Sequence, residues 1–126
     1  MPWFTRAKPS ILVVDDEENV LRAFKRQAQP HFVVTAHTDA AAALSEIALG
    51  RTFAAVLSDY RMPAMNGLDF LGRAGPSLPA AALFLFTGVL DLPDVRERGR
   101  KLGIRGTFFK PIHASMVIAA IGRAVE

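Results

Sequence analysis

Two acidic residues stand side by side at Asp15-Asp16, a third, Asp59, follows a later hydrophobic run, and Thr87 and Lys110 each close another such run. Brought together by a fold, these side chain types could do one particular kind of chemistry. Three carboxylates in one place repel each other, by up to about 4 kcal/mol per pair at contact distance near a protein surface. A positive partner must therefore sit among them. An all-oxygen donor set of this kind suits Mg2+, a hard ion that keeps several waters and takes only a few protein oxygens. Lys110 supplies a second positive charge, and the Thr87 hydroxyl can donate a hydrogen bond to an incoming anion. Together they describe a place where a carboxylate could accept a phosphoryl group, because phosphoryl transfer chiefly needs positioning and neutralised oxygens. Taken singly, each residue has a plainer role. Asp15 or Asp16 could cap a helix ahead of Glu17 and Glu18, Asp59 could form a turn before Tyr60, Thr87 could be structural, and Lys110 could be a solvated lysine before Pro111. Their joint occurrence behind successive hydrophobic runs favours the shared site.

The elements that must position them are legible in the hydrophobic pattern. Short aliphatic and aromatic runs over Ile11–Val14, Phe32–Ala36, Ala54–Ser58, Ala82–Phe86 and Gly106–Phe109 predict five strands. Several are continuously apolar, as strands are when both faces of a parallel sheet are covered. Helical spacing fills the gaps. Val20, Leu21, Phe24 and Ala28 lie opposite Arg22, Lys25, Arg26 and Gln29 in a first helix that Pro30 stops. A second runs from about Asp39, its N-cap, to Leu49 before Gly50, and a third from about Leu68 through Phe70, Leu71 and Ala74 to Gly75-Pro76. A fourth, about Leu92–Leu102 with Asp91 as its cap, is weak, since Gly99 costs about 1 kcal/mol of helix propensity and apolar residues are sparse. The last, about Ala114–Val125, places Val117, Ile118, Ile121 and Val125 on one side. This alternation predicts an α/β fold, a doubly wound five-stranded parallel sheet flanked by five helices with right-handed crossovers. Ligand groups gather at the carboxyl ends of such strands, and Asp15-Asp16, Asp59, Thr87 and Lys110 close the first, third, fourth and fifth.

The chain has 126 residues, enough for one domain, here divided into a tail of residues 1–9 carrying Trp3 and Phe4 and a domain of residues 10–126. At 51% apolar and 21% charged it is far from the composition of a disordered segment. The absence of cysteine excludes disulfides, a thiolate nucleophile and cysteine-ligated metals. The net charge of +3 would invite nucleic acid, but the basic residues are scattered. The one concentration, Arg96, Arg98, Arg100, Lys101 and Arg105, is interrupted by Glu97 and reads as a solvated helix face, so no direct nucleic-acid binding is expected. Ile11–Val14 runs straight into Asp15–Glu18 and is shorter than the ~7–15 apolar residues of a signal peptide. The longest uncharged stretch, Ala74–Leu90, is broken by Gly75, Pro76, Pro79 and Gly88 and falls short of the ~20 residues of a membrane span. A cytoplasmic protein without membrane contact is expected.

Ile11-Leu12-Val13-Val14-Asp15-Asp16-Glu17, then Ser58-Asp59-Tyr60-Arg61-Met62-Pro63-Ala64-Met65-Asn66-Gly67, then Leu85-Phe86-Thr87-Gly88, then Phe109-Lys110-Pro111 together resemble the receiver domain of two-component response regulators. The resemblance covers essentially the whole chain from Ser10. It implies a flavodoxin-like fold in which Asp59 takes a phosphoryl group from the phosphohistidine of a histidine kinase or a phosphotransfer protein. It also implies that Asp16 holds Mg2+ directly and Asp15 largely through water, with Asp59 and the backbone carbonyl of Arg61 completing the ligands. Lys110 would pair with the phosphoryl oxygens, and Thr87 would move toward them and couple the site to the fourth helix and fifth strand. Such a domain is no enzyme beyond at most slow self-dephosphorylation. The resemblance leaves room for an effector domain C-terminal to Glu126 and for a dimer formed on phosphorylation. One departure matters: the family usually carries Tyr or Phe three positions before the lysine, where this chain has Thr107, and Phe108 alternates to the opposite face. Two alternatives stand beside this reading. One is a receiver-like interaction module that works without phosphorylation. The other is a haloacid-dehalogenase-like phosphatase, whose signature needs Asp-x-Asp where this chain has Asp15-Asp16-Glu17.

Overall fold

The computed structural model describes residues 7–88 and 93–126. The apolar runs become strands β1 (Ser10–Val14), β2 (Val33–His37), β3 (Ala55–Asp59), β4 (Ala82–Thr87) and β5 (Gly106–Phe109). All four pairings are parallel, in the order β2-β1-β3-β4-β5. Helices α1 (Glu18–Ala28), α2 (Ala40–Ala48), α3 (Gly67–Ala74), α4 (Pro93–Leu102) and α5 (Ala114–Ala124) alternate with them, and a 3-10 turn at Gly75–Ser77 follows α3. This is the doubly wound arrangement that the alternation predicts. The chain leaves β1 for one edge and returns to β3 on the other side of β1, so the order reverses between β1 and β3. Asp15 and Asp59 emerge at that point, where doubly wound sheets open a crevice.

Side chains of a strand point alternately to opposite faces, and the core divides accordingly. On one face Ile11, Val13, Leu57 and Phe84 pack under Leu21, Phe24 and Ala28 of α1 and Val117 and Ile121 of α5. On the other, Leu12, Val14, Val56 and Leu85 pack under α2, α3 and α4 through residues such as Ile47, Leu68, Phe70 and Val95. The central strands are covered on both faces, as their continuous apolar runs imply. The edge strands are less so, and Val33 is 52% exposed. Val20, expected on the apolar side of α1, is exposed. It lies one helical step round from the Leu21–Phe24–Ala28 row that meets the sheet.

Local signals place the helix ends. Asp39 Oδ1 accepts the Ala41 N–H at 3.0 Å, as expected of an N-cap. Asn66 Oδ1 accepts the Asp69 N–H at 2.9 Å, so α3 begins one residue before Leu68. Gly50 ends α2 with φ +98°, a conformation that favours glycine. Neither Asp15 nor Asp16 caps α1; its N-cap is Glu17, whose side chain makes no capping bond. Trp3 and Phe4 of the expected tail, and Asp91 as the expected cap of α4, lie outside the described residues. Among the described residues no helix is long and apolar enough to cross a membrane.

Candidate functional site: a carboxylate cluster at the carboxyl edge of the sheet

Backbone hydrogen bonds tie the strand ends to one another. The Asp15 N–H donates to the His37 carbonyl at 3.2 Å, the Tyr60 N–H to that of Phe86 at 2.8 Å, and the Lys110 N–H to that of Thr87 at 2.9 Å. The loop after β3 folds back tightly. Its Gly67 N–H donates to the Tyr60 carbonyl at 2.7 Å, and a Cβ on Gly67 would drive into the Asp59 carbonyl oxygen and come within 2.8 Å of Leu85 Cδ1. Only glycine fits that approach. Ser58, fully buried beside Asp59, donates its hydroxyl to the Asp59 carbonyl at 2.9 Å. The peptide joining Lys110 to Pro111 is cis.

Carboxylate oxygens of Asp15, Asp16 and Asp59 lie within 4.8 Å of one another. Lys110 Nζ stands 3.1 Å from Asp59 Oδ1 and 4.0 Å from Asp15 Oδ2. Asp15 and Asp59 are buried at 5% and 6% exposure, whereas Asp16 is exposed. The difference between the two neighbours follows from the backbone: Asp15 Oδ1 accepts the Glu17 N–H at 2.9 Å, which turns its carboxylate inward. Burial pushes the Asp15 carboxyl up to about 6, with the Asp59 charge adding and the Glu17 amide and Lys110 opposing. Burial also pushes Asp59 up, against its hydrogen bond to Lys110. One ammonium thus only partly offsets the cost of placing two carboxylates out of water.

The structure brings together Asp15, Asp16, Asp59 and Lys110. Thr87, fully buried at the end of β4, joins them at the same edge, one strand from Lys110. Arg61 lies in the loop two residues beyond Asp59 with its side chain exposed. The donor set fits a hard divalent cation: three carboxylates converge, all oxygen, two of them poorly solvated, with more negative than positive charge among them. Reasoning from the sequence includes Asn66 and Gly67 in the matched Ser58–Gly67 run but gives them no structural role, although Asn-Gly ahead of an apolar helical run signals a cap and a tight turn. It also misses Phe86, whose ring lies 5.1 Å from Lys110 Nζ, because nothing in a strand's alternation says which loop residue will fold over it.

Comparison with known proteins agrees with this geometry. The family model described as response regulator receiver domain matches residues 11–122. The chain is 28% identical over 117 residues to the hydrogenase transcriptional regulatory protein HoxA of Cupriavidus necator, covering 93% of this chain and 24% of that protein. It is 33% identical over 121 residues to the transcriptional regulatory protein FixJ of Azorhizobium caulinodans, covering 90% of this chain and 56% of FixJ. This chain therefore spans about a quarter of the one relative and just over half of the other. In fold it is similar to a CheY-like response regulator receiver domain protein from Methanospirillum hungatei, with a TM-score of 0.87 at 22% identity over 94% of each chain. The match over 11–122, on a doubly wound sheet whose carboxyl edge gathers the acidic cluster, places this chain in the family of response regulator receiver domains.

Proposed function

We propose that residues 10–126 act as a phosphoacceptor in which Asp59 takes a phosphoryl group from the phosphohistidine of a histidine kinase or a phosphotransfer protein. One observation carries this reading. Asp59 is the carboxylate of the cluster that is both buried at the sheet edge and in direct contact with the lysine, at 3.1 Å. Its oxygen forms the new bond to phosphorus as the bond from phosphorus to the donor's ring nitrogen breaks, and the electron pair of that bond stays on the nitrogen. Lys110 exchanges its carboxylate partner for a phosphoryl oxygen, and Thr87 donates its hydroxyl to another. Asp15, Asp16, Asp59 and the Arg61 carbonyl would hold Mg2+, which when bound neutralises the phosphoryl oxygens and the crowded carboxylates. The domain works as a stoichiometric acceptor, with at most slow self-dephosphorylation. In the cytoplasm it would pass the signal to an effector domain elsewhere in the full protein, in keeping with its covering only part of HoxA and FixJ.

The carboxylate cluster also weighs against a module that works without phosphorylation. Buried like charges oppose folding, and a purely structural role gives no reason to keep them. The phosphatase alternative lacks its Asp-x-Asp signature. Acetyl phosphate, a small donor that replaces the kinase, tests the proposal. With Mg2+ the intact protein should gain the mass of one phosphoryl group, and chelation or Asp59→Asn should each prevent the gain. Undiminished labelling of that variant, or labelling indifferent to chelator, overturns the assignment.

A further inference from the structure

Lysine carries its charge on a flexible four-carbon stem, and fixing its ammonium in one place costs side-chain entropy. Lys110 is held from three directions. Asp59 Oδ1 lies 3.1 Å and Asp15 Oδ2 4.0 Å from its Nζ, and the centroid of the Phe86 ring lies 5.1 Å away. That last distance is inside the ~6 Å range over which a ring's quadrupole attracts a cation. Phe86 is itself well placed to hold a neighbour. Its carbonyl accepts the Tyr60 N–H at 2.8 Å. Its ring lies 6.5 Å from that of Phe108, which stacks on Phe84 at 5.7 Å and 20°. Phe86 also lines a cavity of about 30 Å³ that reaches Asp15 and Asp59. One ring therefore touches both the ammonium and the apolar lining beneath the two buried carboxylates.

Of the three contacts, the one to Asp59 is replaced when Asp59 becomes an acyl phosphate, and Asp15, the more distant carboxylate at 4.0 Å, is among the residues that would hold Mg2+, whereas the ring takes no part in either exchange. We propose that Phe86 is a positioning residue for Lys110: its π face keeps the ammonium over the site while the carboxylate partner is being replaced by a phosphoryl group. The proposal rests on Asp59 being the acceptor and adds a residue that supplies no ligand atom and no hydrogen bond from its side chain.

Two substitutions separate the π face from mere bulk. Phe86→Leu keeps an apolar side chain but removes the quadrupole, whereas Phe86→Tyr keeps it and, at a partly exposed position, can send its hydroxyl to water. With acetyl phosphate and Mg2+, Phe86→Leu should be phosphorylated roughly two- to fivefold more slowly than wild type, and Phe86→Tyr at close to the wild-type rate. In NMR spectra of the wild-type protein the Lys110 ε-methylene protons should be shifted upfield by the ring. That shift should persist in Phe86→Tyr and vanish in Phe86→Leu. A wild-type rate in Phe86→Leu, equal slowing in both variants, or Lys110 protons without the shift overturns the proposal. A wild-type protein that takes no phosphoryl group overturns the acceptor reading instead, and the Lys110 shift then decides the place of Phe86 by itself.

Discussion

Carboxylates held out of water beside one ammonium give the domain a pH dependence that can be traced to single residues. The Asp15 carboxyl is pushed from 3.8 up to about 6 and that of Asp59 is also pushed up, both chiefly by burial. A raised carboxyl pKa means that the folded protein binds protons the unfolded chain has already lost. Stability from this source is therefore full below about pH 4 and is lost as pH rises to about 6 and beyond. Urea unfolding of the metal-free protein should show that loss, and Asp15→Asn should reduce it. At pH 7 the variant should be the more stable of the two, by on the order of 1–3 kcal/mol. Mg2+ should then stabilise the wild type more than the variant, since binding to the folded state adds stability by mass action. A variant that is less stable than wild type at pH 7 without metal would contradict the desolvation account. At this scale the types of the site residues are legible in the sequence, because each ends or closely follows a strand and parallel strands end on a common edge. Their burial is not. Asp15 and Asp16 are chemically identical neighbours, and the Glu17 amide is what turns one of them inward.

Among the elements, the turn from β3 into α3 does most to shape the site. Gly67 opens α3 under the Asn66 cap, and its missing Cβ lets the loop pass against the Asp59 carbonyl. Alanine is the better helix former by about 1 kcal/mol, yet Gly67→Ala should destabilise the domain by about 1–3 kcal/mol, because the added methyl meets backbone that cannot move aside cheaply. Denaturant midpoints for the two proteins check this, and a Gly67→Ala protein as stable as wild type would show that the loop relaxes freely. The strands themselves are legible as apolar runs, and the helices as rows such as Leu21–Phe24–Ala28. Which strands lie at the edges is harder to read, since β2 carries much the same β-branched sequence as a central strand. Only the pairing order leaves Val33 and Phe109 partly exposed, at 52% and 39%.

Across the whole molecule, a change at Asp59 must reach the α4 side of the sheet through what the fold places there. Thr107 pairs in register with Leu85, and Phe108, on the other face, is locked in the stack with Phe84. Threonine has few rotamers and little apolar surface, so a change in its exposure moves only a small part of the ~25 cal/mol per Å² attached to burial. Thr87, buried at the site, is the better candidate for the first step, and α4 is tied to α3 by Arg98 on Asp69 at 2.8 Å. With beryllofluoride as a phosphoryl mimic, Thr107→Ala should leave the induced amide shifts in α4 nearly intact, while Thr87→Ala strongly reduces them. Equal loss in both would give Thr107 a switch role after all. All of this depends on where the phosphoryl group goes, and the sequence offers a clean way to find out. Borohydride reduces an aspartyl phosphate to homoserine, and trypsin then releases residues 52–61, between Arg51 and Arg61, with Asp59 as the only acidic residue. After treatment with acetyl phosphate and Mg2+, homoserine should replace Asp59 in that peptide. Homoserine in residues 7–22, which hold Asp15 and Asp16, or an unreduced Asp59 in phosphorylated protein, would contradict the account.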